Sequence, residues 1–516
     1  MSAARADLAK PAAAIPRSFR KVLVANRGEI AIRVCRTLQA MSIPSVAVYS
    51  DADRGSPHVR AADEAVRIGP PAPADSYLNA QAILDAARVT GADAIHPGYG
   101  FLSQSAAFAR ACGEAGVVFI GPSPEAMERL GDKESSRRAA VRCGVPVIPG
   151  AEDVPDAARA LAEANRIGLP VLLKAAGGGG GRGMRRVASV EALAEHFESA
   201  RREALAAFGN GRIFVEKLVH PARHVEIQIL GDSRDAVAFG ERECSLQRRY
   251  QKVVEESPSS AVTPRLRTAM EGAAISLARD ARYAGAATVE FLLGTDGDFY
   301  FLEVNTRLQV EHPVTEMRFG IDLVRAQIEI AAGGSLPKPT APSGHAIEAR
   351  LNAEDPFQSF LPQAGTILAL VWPGGDGVRV DAGIAAGQTI QTHYDSLLAK
   401  IVAHGATREE ARARLRTALS ELALLGVRTN QRFLLDILAD DAFRTGATYT
   451  DTLESRTWPP PEGVPDEALV AAGVALFAPR EALAGVGERD DLDRYSPWLT
   501  LGAWGRPGFA PPGRTP

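Results

Sequence analysis

Cysteine is scarce in this chain. Cys35, Cys112, Cys143 and Cys244 are its only four, and none falls in a CxxC or a Cys/His ligand spacing. That excludes a disulfide framework and a structural zinc site as organising devices, and suits a reducing cytoplasm. Long apolar runs are lacking as well: the longest uncharged apolar stretch, residues 468–478, falls far short of the ~20 residues needed to cross a bilayer. Basic excess is missing too. Against 62 Asp and Glu stand 58 Lys and Arg, a formal net charge of −4, so the electrostatic footprint of a nucleic-acid binder is not there. The first twenty residues mix Arg5, Arg17 and Arg20 with Asp7, Pro11 and Pro16 and hold no continuous apolar core, which argues against a secretory leader and for a loose terminus.

What is present is an ordinary globular composition, 46% hydrophobic and 23% charged over 516 residues, long enough for about three domains. The stretch DFYFLEVNTRLQVE at residues 298–311 stands out. As a strand it alternates, placing Glu303, Asn305, Arg307, Gln309 and Glu311 on one side and Tyr300, Leu302, Val304, Thr306, Leu308 and Val310 on the other. Residues 287–293 form a second expected strand, and GTDG at 294–297 has hairpin-turn chemistry. In that register Glu290 faces Phe301 and lies diagonal to Glu303, roughly 7–8 Å away, near enough for two carboxylates to share a hard cation. Half-exposed strands alternate in the same way with no function, so the pattern alone leaves a metal site and a solvated face both open.

The rest of the chain reads in blocks. From Lys21 a short apolar strand, a polar turn and a helix recur as strand and helix alternate, which predicts a parallel sheet with helices on both faces and ligand loops at the strand ends. Two such loops are Asn26-Arg27-Gly28-Glu29 and the run from His96 to Ser103. Gly131-Asp132-Lys133 opens a smaller unit, in which residues 151–165 read as a helix and residues 171–174 as a strand. A glycine run broken only by Arg182 follows at 177–183, and each glycine costs ~0.5–1 kcal/mol relative to alanine in regular structure. It is expected to be a mobile loop whose bare amides can close over phosphates. Residues 241–252 are dense in charge without helical spacing. Helices are expected at 322–332, 408–425 and 430–439, and a strand carrying Arg350 at 345–351. Cys244 precedes Lys252 by one short stretch, but nothing marks a lowered thiol pKa. Pro459-Pro460-Pro461 reads as a linker into a tail that holds Trp458, Trp498 and Trp504, and tryptophans there predict docking on something.

Taken together, ANRGEIAIR, HPGYGFLS, GDK, KAAGGGGGRGMR, RHVEIQIL, QRRYQKVVEE, FLEVNTRLQVEHPVTE, GHAIEARLNAEDP and YDSLLAK resemble, in order and spacing, the biotin carboxylase component of biotin-dependent acyl-CoA and pyruvate carboxylases. The resemblance covers about residues 20–454 and implies an α/β protein of the α+β ATP-grasp kind. Its parts would be a loose terminus (1–19), an N-terminal parallel α/β pre-ATP-grasp domain (20–131), a linker and small mobile lid domain (132–218), a C-terminal mixed-sheet domain (219–454), and a Pro-rich linker and tail (455–516). The implied reaction is ATP-dependent activation of bicarbonate as carboxyphosphate, followed by carboxylation of biotin on a carrier protein.

By the same resemblance Glu290, Glu303 and Asn305 are the ligands of Mg²⁺, with Mn²⁺ as a substitute. Lys133, Lys174, Gly180 and Gly181 face the ATP phosphates, Glu216, Lys217 and Val219 read the adenine, and His224, Gln247 and Tyr250 flank the nucleotide. Lys252, Arg307, Gln309 and Val310 hold bicarbonate, Glu311 is the base, and Arg350 stabilises the biotin enolate. Gln104 stands where the family usually has Glu, and Tyr250 where His is common. No Ala-Met-Lys-Met stretch, the usual biotin-attachment signature, occurs. The expectation is that carrier protein and carboxyltransferase are separate chains, and the resemblance implies a homodimer. Two other readings share much of the pattern: an ATP-grasp ligase joining a carboxylate to an amine, and an ATP-binding scaffold without turnover.

Overall fold

A computed structural model describes residues 18–175, 184–208, 211–460 and 463. Residues 1–17, the glycine run with Gly180 and Gly181, and Trp498 and Trp504 lie outside the described residues. The described chain up to Thr457 belongs to one compact unit, and Trp458 opens a second.

The N-terminal strands pair in parallel in the order Glu64–Gly69, Ser45–Ser50, Val22–Val24, Ala94–His96, Val118–Phe119. Strand order reverses beside Val22–Val24, and the two loops expected to bind ligand leave its C-terminal end and that of Ala94–His96. Asn26 ties them together: its amide donates to the carbonyls of Pro97 and Tyr99, both at 2.7 Å. Gly98 has φ +62°, and a Cβ there would meet Asn26 Nδ2 at 2.9 Å, so this close approach needs glycine.

A four-stranded sheet follows, in the order Gly150–Val154, Ile213–Lys217, Val171–Ala175, Met184–Val187. The helix expected over 151–165 starts later than its alanine content suggests. Residues 150–154 pair with Ile213–Lys217, Pro155 ends the strand, and Asp156 caps the helix Ala157–Ile167 by accepting from the Arg159 amide at 2.8 Å.

The largest sheet runs Phe299–Asn305, Ala284–Gly294, Ala222–Asp232, Ala236–Arg248, Gln251–Ser257, His345–Asn352, Leu397–Gly405, Val378–Ala382. Expected as mixed, it is antiparallel at each strand pair, with one isolated parallel bridge from Val147 to Phe301. Its period-2 pattern has two buried faces. Val225, Ile227, Ile229, Ala287, Val289 and Phe291 pack on the helix Pro264–Asp280 through Met270, Ala274 and Leu277. His224, Glu226, Gln228, Thr288 and Glu290 alternate with them to the opposite face, and they too are buried. The charged run at 241–252 is part of this layer and not a surface helix or solvated loop: the strand Ala236–Arg248 continues through it, turns at Arg249 and Tyr250 with φ 47° and 65°, and returns as Gln251–Ser257. The helix expected at 408–425 ends at Glu421, since residues 423–425 pair with Ala369–Val371 as a short strand.

Candidate active site

The buried polar face floors a cleft of about 1640 Å³, with walls from the N-terminal loops and the small sheet. Lys252 and Arg350 line it, and behind them lies Glu311, wholly buried, where the chain enters the helix His312–Phe319. One carboxylate oxygen lies 2.7 Å from Lys252 Nζ and the other 3.0 Å from Arg350 Nη2. Burial alone would raise this carboxyl, but Lys252, Arg350 and Arg242 together hold it well below the usual carboxylate range. The ammonium of Lys252 also meets Glu226 at 2.6 Å and Glu290 at 2.9 Å. Burial opposes its charge, yet the surrounding acids hold it well above the ordinary lysine value. Arg350 is bound on its far side by Glu255.

The expected metal acids meet more directly than the sequence register allows. Glu290 pairs with Glu303 itself, and Phe291 with Phe301, because the ladder slips between these pairs and leaves Leu302 as the extra residue. The two residues thus stand directly opposite each other across the strands instead of on a diagonal. Asn305 is the last residue of this strand, and its amide donates to Glu290 at 2.9 Å. The expected continuation of the strand through Glu311 does not occur. Residues 306–311 have no ladder partner and turn into the helix, so Arg307 and Gln309 reach the cleft from a loop, and Glu311 sits behind Lys252 and Arg350 at the helix start.

The donor set fits a hard divalent cation: two carboxylates and an amide on one strand pair, with Glu303 lining the cleft and, among the described residues, matched by no protein cation or donor. Glu290 is held ionised against its burial by Lys252 and by His224, whose Nε2 is 3.0 Å away. The other ring nitrogen of His224 lies 2.6 Å from the Gln247 amide.

The remaining expected residues sort by place. Lys133 begins the helix Lys133–Arg142 at the cleft edge, and Lys174 reaches it from the small sheet paired with Glu216. Val219, Tyr250, Gln309 and Val310 line it as well. Lys217 does not: it follows Glu216 on a strand, so it points to the other face, with its Nζ 6.0 Å from the Tyr300 ring centre. Arg307 Nη1 donates to Gln309 at 2.9 Å, and its Nε to Gln104 at 2.7 Å. Cys244 lies 3.8 Å from Glu311, but burial pushes its thiol well up and leaves it unreactive.

Several participants escaped the sequence reading. Arg242, fully buried, donates to Glu226 at 2.5 Å, Gln228 at 2.7 Å and Thr315 at 3.0 Å, and so fixes the acid beneath Lys252. Glu255 and Glu348 oppose each other on adjacent strands behind Arg350. Lys400 reaches the Val310 carbonyl at 3.0 Å and Glu29 at 3.1 Å, while Glu29 accepts from the Tyr99 hydroxyl. Acids alternating with Val or Ala inside strands were the available signal, and it is equally that of a wet face.

A nucleotide-sized cleft under a small sheet, lined by Lys133 and Lys174 and by the paired Glu290 and Glu303, fits an ATP-dependent ligase of the ATP-grasp class. Family models match in sequence: biotin carboxylase, N-terminal domain, at residues 18–127; carbamoyl-phosphate synthase L chain, ATP binding domain, at 132–339; and biotin carboxylase C-terminal domain at 348–455. Biotin carboxylase 1 of Bacillus subtilis (strain 168) is 45% identical over 443 residues, covering 85% of this chain and 98% of that protein. The mitochondrial methylcrotonoyl-CoA carboxylase subunit alpha of Oryza sativa subsp. japonica is 50% identical over 441 residues, 84% of this chain but only 60% of that longer protein. Among solved structures, the biotin carboxylase domain dimer of Hydrogenobacter thermophilus 2-oxoglutarate carboxylase, in complex with MgADP, ADP and bicarbonate, superposes with a TM-score of 0.77 at 45% identity, covering 85% of this chain and 97% of that one. The chain belongs to the biotin carboxylase family. No described helix is long and apolar enough to cross a membrane.

Proposed function

We propose that this protein catalyses the first half-reaction of an acyl-CoA or pyruvate carboxylase: ATP and bicarbonate carboxylate biotin carried on a partner. The observation that carries this reading is Glu311, held ionised between Lys252 and Arg350, with the same Lys252 ammonium reaching Glu290 of the Glu290 and Glu303 pair. Glu290, Glu303 and Asn305 would hold Mg²⁺, which supplies neutralisation of charge on the transferring phosphate. Lys133 and Lys174 offer point cations to the phosphates, Glu216 and Val219 face the base, and His224 and Gln247 hold Glu290 in place.

Arg307, Gln309 and Lys252 present donors to a small anion beside Glu311, and the Glu311 carboxylate takes the bicarbonate proton as a bicarbonate oxygen attacks the γ-phosphorus of ATP and ADP leaves with the bridging oxygen. Glu311 is neutral once it holds that proton, so its grip on Arg350 weakens. The guanidinium is then free to meet the negative charge that develops on the ureido oxygen of biotin. Carboxyphosphate hydrolyses readily, and a cleft closed over the phosphates keeps water from it.

Biotin arrives in this reading on a carboxyl carrier component, and a carboxyltransferase component completes the reaction. A homodimer in the cytoplasm is the state we favour, on the precedent of the dimeric relative and four cysteines that are all free. The test is ATP cleavage with and without bicarbonate, and with and without free biotin. Cleavage should require bicarbonate, and label from ¹⁴C-bicarbonate should enter biotin. Cleavage indifferent to both sinks the proposal.

A further inference from the structure

Arg307 differs from the neighbouring cations in its partners. Lys252 lies against three carboxylates, and Arg350 against Glu255 and Glu311. Among the described residues every acceptor of Arg307 is uncharged: the amide oxygens of Asn305 and Gln309, the Leu308 carbonyl, and the amide oxygen of Gln104. The first three lie within two residues of Arg307 and follow from local chain geometry. Gln104 is 203 residues away, exposed, on the loop that also presents Tyr99. That one contact joins the N-terminal loop to the anion pocket.

An amide and a carboxylate at position 104 would orient Arg307 alike, since either offers an oxygen to Nε. They differ in charge. A carboxylate would pair with the guanidinium and cancel part of the field that draws an anion, whereas the amide orients it and leaves that field intact.

We propose that Gln104 is a positioning residue of the bicarbonate site, a neutral clasp that aims Arg307 while leaving its charge to the substrate anion. This rests on the anion-site reading above. Because the contact is exposed, the effect is modest and sensitive to salt, with a free-energy scale that corresponds to a factor of about 1.5 to 5.

The experiment compares the wild-type chain with Gln104→Glu and Gln104→Ala by steady-state ATP cleavage, varying bicarbonate, ATP and ionic strength. Gln104→Glu should raise KM for bicarbonate about two- to fivefold while KM for ATP and kcat at saturating bicarbonate stay within about twofold. Its bicarbonate KM should also climb less steeply with salt than that of the wild type. Gln104→Ala should keep the wild-type salt dependence and lose kcat, because Arg307 is charged but no longer aimed. A Gln104→Glu protein with the wild-type bicarbonate KM and salt slope, or with KM for ATP raised equally, overturns the assignment. If the wild type shows no bicarbonate-dependent cleavage, the anion-site reading falls and this inference with it. Normal wild-type turnover beside an unchanged Gln104→Glu protein removes Gln104 alone.

Discussion

Lys252 Nζ and Glu311 Oε1 lie 2.7 Å apart in a setting where both side chains are almost entirely shielded from solvent. A buried ion pair of this sort contributes less by mutual attraction than by forbidding the loss of either partner. Here the pair also decides protonation: with Lys252 on one oxygen and Arg350 on the other, Glu311 is a carboxylate throughout the working pH range. In the proposed role as base, Glu311 is ready before substrate arrives, and its strength must come from placement more than from a high pKa.

Glu311→Gln keeps the shape of the side chain and removes the proton acceptor. Bicarbonate-dependent ATP cleavage should fall by ~10²–10⁴, with nucleotide binding changed by no more than a few-fold. Single-turnover cleavage and nucleotide titration separate the two, and turnover above a tenth of wild type would remove Glu311 from this role.

Removing Lys252 leaves Glu226, Glu290 and Glu311 facing one another. Lys252→Gln should destabilise the fold by about 3–5 kcal/mol at neutral pH. The sign of the pH dependence follows from the acids: without the ammonium their folded-state pKa values rise, so they protonate on acidification and the repulsion is relieved. The stability gap between variant and wild type should shrink from pH 8 to pH 5. Denaturant melts at the two pH values check this, and a gap that is constant or widens towards acid contradicts it.

Among the described residues, Glu303 has no cation partner to lose. Glu303→Gln should leave stability without added metal within ~0.5 kcal/mol of wild type, yet raise the Mg²⁺ concentration needed for half-maximal turnover. An unchanged Mg²⁺ titration would return Glu303 to an ordinary half-exposed acid.

Glu348 is buried and, among the described residues, neither of its carboxylate oxygens has a hydrogen-bond partner, and burial pushes its carboxyl well above the ordinary range; its neighbour Glu255 is pushed up to about 7 by burial despite Arg350. Groups that bind protons more tightly when folded favour the native state below their unfolded value, near 4.5, and lose that advantage as pH climbs through the folded one. Glu348→Gln, a neutral mimic of the protonated acid, should therefore gain stability relative to wild type as pH goes from 5 to 8. Urea unfolding at both pH values reads this directly, and parallel pH dependences would show that Glu348 carries no excess proton.

Sequence alone determined what depends on near neighbours. Strands and helices alternate from Lys21, the acids and amides around residues 298–311 recur with a period set by chain geometry, and the motif set placed the chain in its family. Most of the residues expected at the nucleotide, metal and anion positions do line one cleft. The register that sets Glu290 against Glu303 was not legible, because a one-residue bulge at Leu302 depends on which ladder bonds survive and not on the alternation of side chains. Nor was the burial of Glu226, Arg242, Glu255 and Glu348: a strand's polar face looks the same whether water or protein covers it, and the helix His312–Phe319 and the N-terminal loops supply the cover. The contact of Gln104 with Arg307 joins residues far apart in the chain. Such pairings belong to the tertiary structure because local propensity acts over a few residues, whereas the charge that each buried group can keep is decided by whatever the folded chain brings against it.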